Sequence, residues 1–224
     1  MTAKTRRFSA NELPQAMAVF PLEGALLLPR ARLPLNIFEP RYLAMVDDAL
    51  KRAHRLIGMV QPKRAKQAGE TQPPIYEIGC AGRLTSFSET DDGRYLIALT
   101  GVQRFAIVKE IEGFTPFRRV EPDWRRFSSD LDEDHDPSPC ADDRESFRKL
   151  LRRYFQAAEL SADWDAMSGA DHETLVNAIA MLCPFTPQEK QALLEAETLS
   201  AREQSLRALM NFVVAAPDGG GEVQ

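Results

Sequence analysis

Residues able to carry catalysis are thinly placed in this chain. His172-Glu173 starts like the zinc helix His-Glu-x-x-His, but position 176, where the pattern continues, is valine, and no second imidazole follows one turn on. The remaining reading is a solvated helix start beside Asp171. With only His54 and His135 besides, and no Gly-x-Ser-x-Gly elbow, a Ser/His/Asp or Cys/His site would need dispersed residues gathered by folding. No Gly-x4-Gly-Lys-Ser/Thr loop is present, which excludes ATP hydrolysis by a P-loop. Cys80, Cys140 and Cys183 lie far apart without a Cys-x-x-Cys pair, against both a disulfide framework and a thiolate zinc site. The acidic run Asp130 to Asp136 lacks the ligand order and turn glycine of an EF-hand and reads as a hydrated linker. No catalytic residue, metal ligand or cofactor is assigned.

Two groups could bind rather than react. Arg118, Arg119, Arg125 and Arg126 surround Trp124, and cations interleaved with an aromatic can hold a nucleic-acid strand by phosphate contact and stacking. The competing account is the outward face of a strand. The other group is apolar. Leu26, Leu27 and Leu28 are consecutive, so alternation along a strand turns at least one outward, and Phe114 and Phe117 flank Thr115-Pro116 on an interrupted strand. Such residues could accept an unfolded peptide by apolar contact and strand addition, or simply close the fold.

The elements that must position these residues fall into two parts. Apolar, β-branched runs at 17–22, 26–37, 56–61, 75–89, 94–108 and 114–120, separated by Gly and Pro, predict strands. Asp91-Asp92-Gly93 marks a hairpin. Pro21, Pro29, Pro34 and Pro40 cannot donate to a ladder, so the first strands must bend or lie on edges, which suits a partly closed barrel. One helix interrupts the strands: Pro40 fits its first position and Leu43, Val46 and Leu50 share a face. Ser128 to Pro137 is too polar to order itself, and the period beyond it becomes 3.6. Phe147, Leu150, Leu151, Tyr154 and Phe155 form one stripe, and Leu175, Ile179 and Leu182 another. Thr186-Pro187-Gln188-Glu189 and Ser200-Ala201-Arg202-Glu203 read as capping boxes, the second opening a helix with Leu206, Leu209, Met210 and Val213 inward. The expected order is a β domain over 17–124, an acidic linker over 125–141, a helical bundle over 142–214 and a tail over 215–224.

Composition narrows the function classes. The 224 residues, 44% hydrophobic and 27% charged with a net charge of -5, suffice for real cores and have no general attraction for nucleic acid or anionic lipid. No apolar run spans a bilayer, and Met1 to Glu12 has no export-signal core, so a cytoplasmic protein without membrane contact is expected.

One stretch is more specific: Val19-Phe20-Pro21-Leu22, Leu28-Pro29, then Leu33 to Tyr42, which reads Leu-Pro-Leu-Asn-Ile-Phe-Glu-Pro-Arg-Tyr. With Gly82-Arg83-Leu84, Leu99-Thr100-Gly101-Val102-Gln103-Arg104-Phe105 and Glu189 to Glu195, it resembles the N-terminal substrate-recognition domain of Lon proteases, especially short stand-alone members. The resemblance covers about residues 17 to 214 and implies an α+β fold: a PUA-like bent β pseudo-barrel with an inserted helix, followed by an α-helical bundle. It also implies recognition of unfolded or tagged polypeptide for a separate ATP-dependent protease, this chain stopping before the ATPase and peptidase parts. Family members often carry Gly where Arg30 stands. Glu39 and Arg41 are expected to tie the helix start to a neighbouring strand, Phe38 and Tyr42 to fill the barrel–helix seam, Arg104 to pair on the barrel surface, and Gly101 to mark a bulge. The resulting expectation is a non-catalytic adaptor or holdase. An RNA-binding module using the Arg118–Arg126 cluster is the alternative, a dispersed hydrolytic site is a third possibility, and homo-oligomerisation is left open.

Overall fold

The computed structural model describes residues 8–64, 72–132 and 141–215. Residues 133–137 of the acidic stretch, Cys140 and the tail from Pro217 lie outside them. Six strands form one mixed sheet: β1 (Met17–Pro21), β2 (Arg32–Ile37), β3 (Leu56–Val60), β4 (Ile78–Glu89), β5 (Tyr95–Glu110) and β6 (Arg118–Asp123). The order is β2-β5-β4-β3-β1-β6, and β5 also pairs with β6, closing a ring. All pairings are antiparallel except β1 with β3. Closure is possible because β5 is long and irregular: its first half pairs with β2, while its second half, past a bulge at Val102 beside Gly101, pairs with β6. A pseudo-barrel with a three-stranded wing results. Gly93, with φ +76°, turns the wing's hairpin.

β1 sends Met17 and Val19 to one face and Ala18 and Phe20 to the other, and both faces are buried. The first pair joins Phe105 inside the ring, while the second joins a core that continues into the helices. Helix α1 (Pro40–Lys51) interrupts the strands as expected, with Tyr42, Met45, Val46 and Ala49 buried. The bundle comprises α2 (Ala141–Ala157), α3 (Trp164–Gly169), α4 (His172–Leu182), α5 (Pro187–Glu195) and α6 (Leu199–Ala215). The α2 stripe is wholly buried, and Thr186 and Glu189 form the reciprocal cap of α5.

Several expectations need correction. Leu26, Leu27 and Leu28 are 2% exposed or less, because they lie in an irregular segment before β2, where strand alternation does not apply. Phe38 is 63% exposed rather than packed at the seam: Ile37 points inward, so the next residue points out. Leu182 is likewise exposed, at the end of α4. The hydroxyl capping α6 belongs to Thr198, which accepts from the Ala201 amide, not to Ser200. The start of the acidic stretch is ordered: Arg125–Leu131 forms a 3-10 segment with Phe127 and Asp130 buried.

That burial has a partner. Arg104, expected at the surface, is 2% exposed and makes a bidentate pair with Asp130, Nε to Oδ2 at 2.9 Å and Nη2 to Oδ1 at 2.7 Å. Its guanidinium also donates to the carbonyls of Leu194, Ala196 and Glu197 at the end of α5. Beside it, Arg202 donates to Leu193 O and Asn177 Oδ1, and Asn177 Nδ2 reaches Pro29 O. Burial and the neighbouring Arg104 pull Arg202 down to about 10, still protonated at neutral pH. These bonds pin the bundle to the ring. Arg30 adds to them: at φ +65°, the conformation glycine prefers, it binds Glu173 at 2.5 Å and Asp130 O at 2.6 Å. Its guanidinium supplies an anchor that glycine at this position would lack.

Candidate functional site

Where β1 ends, α1 begins and β6 begins, the backbone leaves an open cleft of ≈ 400 Å³. Pro21, Tyr42, Pro73, Pro116 and Phe117 form its apolar walls, with Glu39, Arg41 and Arg118 among them. The prolines suit this place because none donates a backbone bond across the strand ends. Tyr42 is held from behind by Phe20, ring centroids 4.3 Å apart, and burial raises its phenol above the usual 10.0. Two exposed aromatics neighbour the lining in sequence: Phe38 precedes Glu39, and fully exposed Phe114 lies two residues before Pro116.

The charged groups of the cleft are already matched. Arg41 binds Glu39 at 2.8 Å and lies 4.4 Å from the Tyr42 ring centroid; it does not reach a neighbouring strand, because the carboxylate two residues away is nearer. Arg118 forms a pair with Glu110 and donates to Pro73 O at 2.6 Å. Matched ions and Gln72 among the apolar walls give the cleft a lining of mixed polarity with its charges paired within the protein.

The structure distributes the sequence-derived candidates differently. Phe117 lines the cleft while being 7% exposed, Phe114 is free to make contacts, and Leu26, Leu27 and Leu28 have gone to the core. The basic group is partly engaged within the protein, with Arg125 and Arg126 still exposed. Arg118 is spent on Glu110, Arg125 binds Asp123 at 2.8 Å, and Arg126 lies over the Phe127 ring. Trp124 packs on Phe105 and donates to Pro14 O. Its ring is wedged, not offered for stacking. Arg119 is half-buried on β6. Phe38 departs from its expected place at the seam, although the parity of Leu33, Leu35 and Ile37 carries the signal.

Groups with catalytic potential are occupied structurally. His172 is buried with Nε2 2.8 Å from Glu203, which also holds Arg207, so it is not a solvated helix start; Asp171 caps that helix. His54 Nδ1 accepts from the Leu56 amide. Burial raises the Cys80 and Cys183 thiols. Among the described residues, no group of three or more His, Cys, Asp or Glu side chains could hold a metal ion, and no helix is long and apolar enough to cross a membrane.

A bent ring with an inserted helix and a bundle riveted to it, carrying an open cleft of mixed polar and apolar lining, defines a domain of α+β class. The family model of the ATP-dependent protease La (LON) substrate-binding domain matches residues 16–211, and the chain belongs to that family. It is 25% identical over 207 residues to Lon protease 2 of Myxococcus xanthus and 22% identical over 204 residues to the Lon protease of Anaeromyxobacter dehalogenans, covering 90% of this chain in each. It spans about a quarter of the length of these relatives, 24% in both. The fold is similar to the Lon N-terminal domain protein of Xanthomonas campestris, with a TM-score of 0.61 and 21% identity over 86% of this chain and 97% of that one. The N-terminal domain of the Mycobacterium avium complex Lon protease gives 0.60 and 16% over 90% and 100%.

Proposed function

We propose that this protein is a non-catalytic polypeptide-recognition module, acting as adaptor or holdase for unfolded or tagged protein and handing it to a separate ATP-dependent protease without a cofactor. The observation that carries the reading is the pair Phe38 and Phe114, 63% and 110% exposed, each within two residues in sequence of the lining of the proline- and aromatic-walled cleft. Water-exposed aromatics gain on transfer to a client's apolar side chain, about 1.5–3 kcal/mol for a fully buried ring. A folded client has few such side chains to offer; an unfolded one has many.

The test is titration of fluorescein-labelled, reduced and carboxymethylated lactalbumin against the protein, followed by anisotropy, with native lactalbumin as control. Saturable binding at micromolar concentration is expected for the unfolded form alone. Phe38→Ser with Phe114→Ser should weaken it about tenfold or more while leaving the melting temperature unchanged, because both rings are outside the core. No saturation by the wild type, or undiminished binding by the double variant, sinks the proposal.

A further inference from the structure

The two longest open edges of the sheet among the described residues lie on β2 and β4. One is β2, which carries Pro34 at its middle and so lacks an N–H there, a common way of blunting an edge. The other is the outer half of β4. Its partner β3 pairs only with Cys80 to Arg83, and the Leu84 amide donates to Arg55 O at 2.9 Å. Beyond that rung, Thr85 to Glu89 are all exposed; Thr85 sits in a bulge, and Ser86 to Glu89 pair with β5 alone. No proline blunts this segment.

The ladder tells which backbone groups face outward. Thr90 N–H donates to Arg94 O at 2.9 Å at the hairpin end, and hydrogen-bonded pairs alternate along an antiparallel ladder. Ser88 with Leu96 and Ser86 with Ala98 therefore exchange bonds across to β5, while Phe87 and Glu89 turn N–H and C=O toward the free edge. The Phe87 ring packs edge-on against Tyr95, centroids 4.9 Å apart, and stays 41% exposed. Glu89 and Asp91 have no ion pair among the described residues, whereas Asp92 is taken by Arg94 at 2.9 Å.

We infer that the Thr85–Glu89 edge takes an extended polypeptide segment as an added strand. Backbone bonds form at Phe87 and Glu89, an apolar side chain of the segment lies on Phe87, and a basic one sits opposite Glu89 and Asp91. This rests on the polypeptide-binding reading above and supplies what that reading needs: main-chain recognition is indifferent to most of a client's sequence. The carboxylates provide the charge complementarity that selects a basic segment.

The probe is the same labelled, unfolded lactalbumin. Phe87→Pro removes an outward amide, a substitution an edge strand tolerates; Phe87→Thr removes the ring but keeps the amide. Binding by Phe87→Pro is expected to be about tenfold weaker than by Phe87→Thr, and hydrogen exchange of segment 84–90 in the wild type should slow on adding the probe. Equal binding by the two variants, or unchanged exchange in the saturated wild type, overturns strand addition while leaving the polypeptide-binding reading intact. Failure of the wild type to bind overturns both. Should Phe87→Pro not fold, the exchange measurement alone decides. A concentration-dependent dimer of the wild type that shields segment 84–90 without the probe would assign the edge to a second copy and refute the inference.

Discussion

Replacing Arg104 by methionine tests whether the buried ion pair holds bundle to ring. The side chains of Arg104 and Asp130 are 3% and 6% exposed, so the substitution leaves a carboxylate in a nearly dry site, together with the Leu194, Ala196 and Glu197 carbonyls that lose their donor. Stranding one partner of a buried pair costs about 3–5 kcal/mol. At about 2–4 °C per kcal/mol for a chain of this size, the melting temperature should fall by about 6–20 °C. Adding Asp130→Leu removes the stranded charge and should restore at least about 2 kcal/mol, since exchanging a whole buried pair for apolar residues is often near neutral. Urea unfolding monitored by circular dichroism measures all the variants in one double-mutant cycle. An Arg104→Met protein within about 1 kcal/mol of wild type, or a double variant no better than the single, would refute the rivet.

Three further outcomes follow from particular contacts. A Cβ on Gly101 would lie 1.9 Å from the Leu28 carbonyl oxygen, so Gly101→Ala should cost at least about 2 kcal/mol in urea unfolding, whereas Gly113→Ala, which meets nothing within 4 Å, should stay within about 0.5. Because Arg30 holds a positive φ, Arg30→Ala keeps the strain and loses the Glu173 pair, while Arg30→Gly loses the pair and the strain together; the Gly variant should be the more stable by about 1 kcal/mol in the same assay. In a Cys140→Ala background, Cys80 and Cys183 should react with a thiol reagent only after unfolding. Both thiols are raised by burial above 9.0, Cys183 to about 11, so unfolded thiols ionise first and the stability they contribute is complete below pH 9 and lost as pH rises toward 11. A pH series of urea midpoints showing no decline across that window argues against the thiol assignment.

Local signals were readable in the chain wherever a neighbour in sequence sets the outcome. The Asp92-Gly93 reversal, Pro40 opening α1, the 3.6-residue stripe of α2 and the Thr186–Glu189 cap each depend on dihedral preference or spacing over a few residues, and the structure places all of them as read. Failures came where the chain's path decides. Arg104 meets Asp130 because a bulge and a 3-10 turn bring together residues 26 apart, and no periodicity encodes that. Leu26 to Leu28 lie in an irregular segment, where strand alternation does not hold.

The residues alone settled the family resemblance, the division into strands and helices, and the lack of familiar catalytic motifs, because these follow from composition, spacing and motif. Tertiary structure alone decided which apolar and charged groups remain in contact with water. Phe38, Phe114 and the β4 edge stay exposed while the leucine run and Arg104 are buried. Exposure depends on which distant segments cover a residue, and that is settled only when the ring closes and the bundle packs against it.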